Sequence, residues 1–500
     1  MNVTKSQCPY CGVGCGLKMR PKNSVSDDKW LVSGDRDTPS TLGKLCVKGA
    51  TVCETLKDGR LKEPLYRKNL NEEFKKISWD ESYEILKENI LSSIKNYGPD
   101  SIAMYGSGQF HTEDYYIAQK LLKGAIGTNN FDANSRLCMS SAVAGYNRSF
   151  GSDGPPCCYE DIDHCSSIFL IGTNTAECHP VLFDRIKKRK RNVNDNLKVI
   201  VIDPRETETA SIADFYLQIA SGTDLFLFIG IANYLFNNKL TEQNFIEKST
   251  ENYDHFVKHI QKWDLKKISE ICNISKQEII DIAKLWGESK NVLSLWSMGL
   301  NQRQEGTAAV NGLINLHLMT GQVGKKGAGP FSLTGQPNAM GGREAGGLSH
   351  LLPGYRFIKN KIDRNEIEKI WGFPIGKISE KQGLSAWEQI EAINEGTLKI
   401  WWIAATNPLV SMPNLNFVKK ALSKCPLIIL NESYEQSESI KFAHLVLPAA
   451  QWSEKDGVMT NSERRVSLCP SFRESNKNLK PDWQIFAELG QKIGYFKQFE

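Results

Sequence analysis

Short apolar runs alternate with segments of helical period along most of the chain, a pattern that predicts stacked βα units. Strands are predicted at Ile168–Ile171, Val199–Ile202, Val292–Trp296, Ile400–Ala404 and Leu427–Leu430. Each run ends in turn residues: Gly172-Thr173-Asn174, Asp203-Pro204-Arg205, Met298-Gly299, Thr406-Asn407-Pro408 and Asn431-Glu432-Ser433. Ligands of open parallel sheets sit at the carboxyl ends of strands, so these polar or glycine-bearing ends predict a large ligand gripped at many points. The fold class is therefore α/β. The Gly- and Pro-rich stretch from Gly321 to Gly354 carries few helix or strand signals and is expected to be a long functional loop. A last helical pattern runs from Trp483 to Phe496.

Composition fits a soluble α/β protein: 500 residues, 40% apolar and 24% charged. That length suggests about two to four domains. No segment approaches the roughly 20 apolar residues of a membrane helix. Cys8 follows the start so closely that no export signal fits before it, so the expected compartment is the cytoplasm. A net charge of +5 does not imply nucleic-acid binding. The dense basic run Arg185-Ile-Lys-Lys-Arg-Lys-Arg191 ends a helical pattern, where cations suit the dipole. Docking of an acidic electron carrier is its other reading.

Cysteine usage changes the picture. Thirteen cysteines in a reducing compartment are not expected to pair as disulfides, and Cys8, Cys11, Cys15 and Cys46 crowd into the first 46 residues. Four thiolates, three of them close in sequence with Gly12, Gly14 and Gly16 between or beside them, suit a 4Fe–4S cluster. A structural zinc site remains open, although zinc more often takes two Cys pairs. Cys53 follows Cys46 too soon to be a fifth ligand and is expected to be buried.

Cys8 to Cys46 with Val47-Lys48-Gly49 resembles the N-terminus of the molybdopterin oxidoreductases, which include formate dehydrogenases and prokaryotic nitrate reductases. The likeness continues through Asn134-Ser-Arg-Leu-Cys138-Met-Ser-Ser-Ala-Val143, Phe150-Gly-Ser-Asp-Gly-Pro-Pro156 and Gly172-Thr-Asn-Thr-Ala-Glu-Cys-His-Pro180. It returns in Thr334-Gly-Gln-Pro-Asn338, Arg343-Glu-Ala-Gly346, Glu454-Lys-Asp-Gly457 and Asn461-Ser-Glu-Arg-Arg465. Within the family the chain most resembles cytoplasmic assimilatory nitrate reductases of the ferredoxin-dependent, cyanobacterial type, with the periplasmic enzymes close by.

The resemblance implies a small N-terminal 4Fe–4S domain (1–62) and two Rossmann-like α/β domains of the formate dehydrogenase/DMSO reductase type. One would be discontinuous (63–135 with 356–500) and the other would span 136–355, each binding one molybdopterin guanine dinucleotide. A further C-terminal domain covering the pterins is expected beyond residue 500. The resemblance makes Cys138 the thiolate ligand of molybdenum, which suits a soft, sulfur-rich metal site; composition alone would make it a small buried hydrophobe. Lys48 would lie between cluster and pterin; otherwise it is a surface lysine. Gln109 and Asn134 match pterin-contacting amides. Gly172, Asn174, Glu177, Cys178, Asp203, Pro204, Arg205, Gly222, Thr223 and Asp224 match the grip on one dinucleotide, with Met298 and Gln302 nearer the pterin. Asn407, Asn431, Glu432, Lys455 and Asp482 match contacts to the other. Any of these could instead be an ordinary cap or turn residue. Cys178 departs from the family pattern, standing where the periplasmic enzymes tend to have methionine.

The implied reaction is oxygen-atom transfer from nitrate, giving nitrite, with electrons entering through the cluster from ferredoxin or flavodoxin; the expected enzyme is monomeric. Formate dehydrogenases characteristically place histidine after the metal ligand, whereas this chain has Met139, which offers no proton acceptor. Arg343 resembles the arginine over the metal, and a guanidinium suits a planar oxyanion. Its other reading is a salt bridge to a pterin phosphate. A molybdenum formate dehydrogenase and a non-enzymatic electron-transfer subunit remain as alternatives. No Gly-x-Gly-x-x-Gly in a strand–turn–helix setting stands out, which disfavours NAD(P)H.

Overall fold

The computed structural model describes all residues except 1–2, 25–27, 57–58, 193, 475 and 477. Strands Ser167–Ile171, Lys198–Ile202 and Val292–Trp296 are buried at nearly every position, as expected of parallel strands covered on both faces. They join Phe215–Leu217 and Gly329–Ser332 in a parallel five-stranded sheet, ordered Phe215–Leu217, Lys198–Ile202, Ser167–Ile171, Val292–Trp296, Gly329–Ser332. Ile171 pairs with both Ile202 and Trp296, so the three central strands end level and deliver their turns to one rim.

The second sheet has seven strands, ordered Lys75–Lys76, Leu65–Tyr66, Leu445–Pro448, Leu427–Glu432, Ile400–Ala404, Ile102–Gly106, Phe131–Ala133. Five are parallel, and the two short edge strands run antiparallel. Alternating positions feed two cores: Met104, Trp402 and Ile429 on one face, Tyr105, Trp401 and Ile428 on the other. The helix Trp79–Tyr97 that leads into this sheet starts at a capping box made by Ser78 and Glu81.

The N-terminal segment forms a separate three-stranded antiparallel sheet, Thr4–Gln7, Gly16–Pro21 and Trp30–Gly34. Leu17 and Met19 join Ile168, Leu170, Val199 and Val201 in one core, while Phe169, Ile171, Ile200 and Ile202 face the opposite core. The period-2 alternation of the five-stranded sheet thus gives one face to its helices and the other to the cysteine-bearing sheet.

The stretch from Gly321 to Gly354 departs from the expected loop. It contains strand Gly329–Ser332, helix Ala339–Glu344 and a short strand Leu351–Leu352, and most of it is buried. Its glycines explain the missing signal: they allow close packing but carry no periodicity. A Cβ on Gly342 would stand 2.4 Å from Cζ of Tyr115, so only glycine lets this helix seat there. Cys53 is half-buried, not buried as expected.

A buried lysine ties this segment down. Lys123 Nζ donates to the carbonyls of Gly346, Leu348 and Leu351 at 3.2, 2.9 and 2.5 Å. Leaving buried carbonyls without a donor costs about 1–3 kcal/mol each at most, and part of that is regained by relaxation. Lys123→Met should therefore lower stability by about 2–4 kcal/mol, with faster amide exchange confined first to residues 342–352. An unchanged melting temperature and unchanged exchange would show that the lysine does not hold the segment.

Candidate cofactor and active site

Cys8, Cys11 and Cys15 lie on the loop between the first two strands of the N-terminal sheet, where Cys8 N–H donates to the Cys15 carbonyl at 2.8 Å. Cys46 caps the short helix Val47–Ala50. The four thiols are close enough that each of Cys8, Cys11 and Cys15 feels the charge of others in the set, Cys46 included. Burial pushes the Cys8 thiol up to about 12 and raises Cys11 and Cys15 as well. Thiols so desolvated ionise only with a partner such as a metal, and binding would release their protons. Among the described residues no three His, Cys, Asp or Glu side chains stand close enough to share one metal ion. A polynuclear cluster does not require that, because each thiolate meets its own iron.

The cysteine loop is pressed into a cradle that only glycine fits. A Cβ on Gly12 would lie 2.1 Å from the Thr334 carbonyl oxygen, and one on Gly14, whose φ is +69°, would lie 2.6 Å from Cβ of Asn461. Gly12 N–H donates to the Gly335 carbonyl at 3.0 Å, and Ser462 N–H donates to the Gly12 carbonyl at 2.8 Å. Tyr159 Oη adds a bond to the same carbonyl at 3.0 Å. Blocks separated by hundreds of residues thereby meet at one loop.

Cys138 follows the turn Asn134–Leu137 and precedes helix Ser140–Phe150. It lines a cavity of about 570 Å³ with Ser140, Gln302, Arg303 and Met412 among its other walls. Burial raises its thiol, while the Gly335 N–H and the charge of Arg343 act the other way. A Cβ on Gly335 would meet nothing nearer than the Cys138 sulfur, at 3.8 Å, so space is left open in front of this thiol. Met139 does not share that position. It is 1% exposed, packs in the core and accepts a bond from Asn301 Nδ2 at 3.4 Å. Met139, singled out because it stands where formate dehydrogenases have histidine, is thus placed in the core next to Cys138.

Arg343, 2% exposed, stands in helix Ala339–Glu344, near enough for its charge to reach Cys138, and is paired with Asp153. Its Nη1 donates to Asp153 Oδ1 at 3.3 Å, and its Nη2 reaches Met340 Sδ. The Nε to Oδ2 approach, 3.2 Å, is an ion contact too poorly aligned to count as a hydrogen bond. Asp153 lies in the Phe150–Pro156 block but had no assigned role, because a carboxylate between glycines reads as a turn residue. Lys48 is exposed, and its charge reaches Cys8, Cys11 and buried His179. His179, held neutral by burial and by Lys48, bonds the Thr334 carbonyl through Nε2 at 3.1 Å.

The remaining residues divide into an open rim and a closed one. At the five-stranded sheet, Gly172 has φ +53° and presses on Gly299, whose Cβ would stand 2.6 Å from Gly172 Cα. Asn174 holds Glu177 at 2.7 Å, and Asp203 caps Arg205 N–H at 2.9 Å. Glu177, Cys178, Pro204, Arg205, Gly222 and Gln302 are exposed, and Met298 and Thr223 half-exposed. Asp224 is the exception: Arg303, not anticipated from the sequence, ion-pairs with it and donates to the Gly222 carbonyl.

At the seven-stranded sheet, Gln109 is exposed, and Asn134 bridges Ser107 and Thr406 at 3.3 and 3.2 Å. Asn407 binds Glu438. Lys455 is buried between Asp114 and Asp482 at 2.6 and 3.0 Å, and Asn431 donates to Asp482 at 3.0 Å. Burial alone would discharge Lys455, but the two carboxylates outweigh it and keep it cationic. Glu432, raised by burial, accepts from Ser433 and Tyr434 N–H groups at 2.7 and 3.2 Å.

Comparison with known proteins gives a consistent result. The molybdopterin oxidoreductase Fe4S4 domain matches residues 1–58, and the molybdopterin oxidoreductase family matches residues 60–492. A nitrate reductase of Synechocystis is 52% identical across 99% of this chain and 70% of its own length. The periplasmic nitrate reductase of Desulfovibrio desulfuricans is 41% identical across 98% of the chain and 66% of its own. The assimilatory nitrate reductase catalytic subunit of Bacillus subtilis is 36% identical across 99% and 69%. The chain spans between 52% and 70% of the length of such relatives. Acetylene hydratase from Pelobacter acetylenicus shares the fold, with a TM-score of 0.81 at 20% identity over 99% of this chain and 70% of that one.

The glycine cradle makes a sharp prediction. Gly12→Ala must displace the Thr334 backbone and should cost most of the iron, as Cys46→Ser should, in protein purified anaerobically. Iron content and the dithionite-bleached visible absorption read the outcome. Full iron in Gly12→Ala would show that the close contact is not required for the cluster.

Proposed function

The chain belongs to the molybdopterin oxidoreductase family and has its Fe4S4 domain, and from that premise we propose that it reduces nitrate to nitrite at a molybdopterin-bound molybdenum fed by a 4Fe–4S cluster. Cys8, Cys11, Cys15 and Cys46 would hold the cluster, and Cys138 the molybdenum. The division into 1–62, 63–135 with 356–500, and 136–355 belongs to this reading; two sheets, each drawn from one of the α/β divisions, support it. So does the assignment of one molybdopterin guanine dinucleotide to each.

The observation that carries the reading is the buried guanidinium of Arg343, whose charge reaches the Cys138 thiol. A fixed cation in a desolvated pocket favours an anion, and its coplanar N–H groups match a planar oxyanion. Oxidation of formate would call for a group to receive its proton, and the residue after Cys138 is a core thioether. Nitrate plus two electrons and two protons gives nitrite and water. When bound through Cys138, molybdenum would supply the two-electron chemistry that N–O cleavage needs. Arg343 orients the anion and stabilises charge on the departing nitrite, while Asp153 fixes the guanidinium plane. Lys48 lowers the cost of negative charge moving past Cys8 and Cys11. The names of the relatives support nitrate as substrate and, through one of them, assimilation as the role; a cytoplasmic monomer with ferredoxin or flavodoxin as donor completes the proposed reading. No helix among the described residues is long and apolar enough to cross a membrane.

Arg343→Gln should reduce nitrate turnover driven by reduced viologen by about 30- to 1000-fold, or about 2–4 kcal/mol of transition-state stabilisation, with iron and molybdenum contents unchanged. Lys48→Met should likewise keep both metals yet turn over slowly. Faster formate oxidation than nitrate reduction by the parent enzyme would overturn the substrate, and metal loss in Arg343→Gln would make that arginine a cofactor-holding residue.

A further inference from the structure

The basic run at the end of helix Pro180–Lys190 lines a groove of about 830 Å³ whose opposite wall is Ser40 to Lys44. Both walls touch the surroundings of the cluster cysteines. Ser40 Oγ donates to the Gly14 carbonyl at 2.9 Å, one residue before Cys15. Val181 and Leu182, on the same helix as the cations, share a core with Cys8 and Cys15.

Charge in the groove is sorted. Arg185 pairs with Asp163, Arg189 with Asp195 at 2.7 Å, and Lys190 beside them with Asp214 at 2.6 Å, which ties the helix end to its neighbours. Lys44, Lys187, Lys188 and Arg191 have no carboxylate within ion-pair distance among the described residues, against the one unpaired acid Asp184. A helix end needs no such excess; one or two cations satisfy its dipole.

We propose that this groove is the docking surface for an acidic one-electron carrier protein, which rests on the reading that electrons enter through the cluster. Carboxylates of the carrier would meet Lys187, Lys188 and Arg191 on one wall and Lys44 on the other. That contact sets the carrier beside the Gly14–Cys15 turn. Such attraction acts mainly on encounter rate and fades with ionic strength. A small cationic dye has no use for the groove.

The test uses the holoenzyme and a reduced plant-type 2Fe–2S ferredoxin, with methyl viologen as the second donor. Lys187→Glu/Lys188→Glu/Arg191→Glu should raise KM for ferredoxin by about tenfold or more at low salt and flatten its salt dependence, leaving viologen-driven turnover unchanged. The milder Lys187→Gln/Lys188→Gln/Arg191→Gln should give a smaller rise and guards against misfolding of the first. Lys276→Glu/Lys284→Glu, on a distant helix, controls for net charge. An unchanged KM in both groove variants overturns the proposal, as does an equal rise in the control. If the parent reduces no nitrate with viologen, the functional reading has failed separately. Titrating oxidised ferredoxin into parent and variants then decides docking by affinity alone, and equal affinities overturn it.

Discussion

Two consecutive residues, Thr334 and Gly335, stand between the two halves of the candidate site, and the positions of both depend on their backbone. On one side the Gly335 carbonyl takes the Gly12 N–H, and the Thr334 carbonyl blocks any Cβ at Gly12. On the other, the Gly335 N–H points at the Cys138 sulfur. This backbone is itself pinned: His179 and Ser462 both donate to the Thr334 carbonyl, at 3.1 and 3.2 Å. Backbone groups buried this way must all be satisfied, so the cysteine loop, the Cys138 turn and the loops at 179 and 462 are fixed together or not at all. The backbone of two adjacent residues, held by these hydrogen bonds, thus links the two thiol sites.

This rigidity matters because the groups it positions are costly to bury. Thiols pushed up by desolvation and a guanidinium at 2% exposure are each unfavourable in a dry interior without compensation. Arg343 has its compensation in Asp153, and breaking such a buried pair typically costs about 3–5 kcal/mol. The pair leaves Nη2 on a thioether, a weak acceptor, so the guanidinium keeps donor capacity for a better one. Lys455, held between two carboxylates, has a single donor left to offer.

The sequence made the strands legible where burial on both faces writes continuous apolar runs, as in Val292–Trp296 and Ile400–Ala404. It hid strands that are short or glycine- and proline-bearing: Gly329–Ser332 begins Gly-Pro, and Phe131–Ala133 is only three residues long. Helix Ala339–Glu344 was illegible for the same reason, since Ala-Met-Gly-Gly-Arg-Glu has no apolar period and is held from outside by Tyr115 and Lys123. The four N-terminal cysteines and Cys138 could be found because motif spacing is a local property. Asp153 and Arg303 could not, because each acquires its meaning from a partner 190 or 79 residues away. Met139 follows Cys138 in sequence, and its side chain packs in the core against which Cys138 lies.

The two rims of strand ends are chemically unlike, and the difference follows from how each sheet is covered. At the five-stranded sheet, Glu177, Cys178, Arg205 and Gln302 reach solvent, and Gly172 against Gly299 brings two backbones together with no side chain intervening. A rim of this kind has free donors and acceptors before any ligand arrives. At the seven-stranded sheet, helix Thr112–Gln119 and helix Asp482–Lys492 lie over the strand ends and bring Asp114 and Asp482 onto Lys455. Asn431 is drawn into the same network, so a ligand there meets Gln109, Glu432 and backbone before it meets the lysine. Removing Lys455 would strand two buried carboxylates whether or not a ligand is bound. A loss of ligand in such a variant would therefore report a collapsed rim, whereas at Gln302 or Arg205 it would report a lost contact.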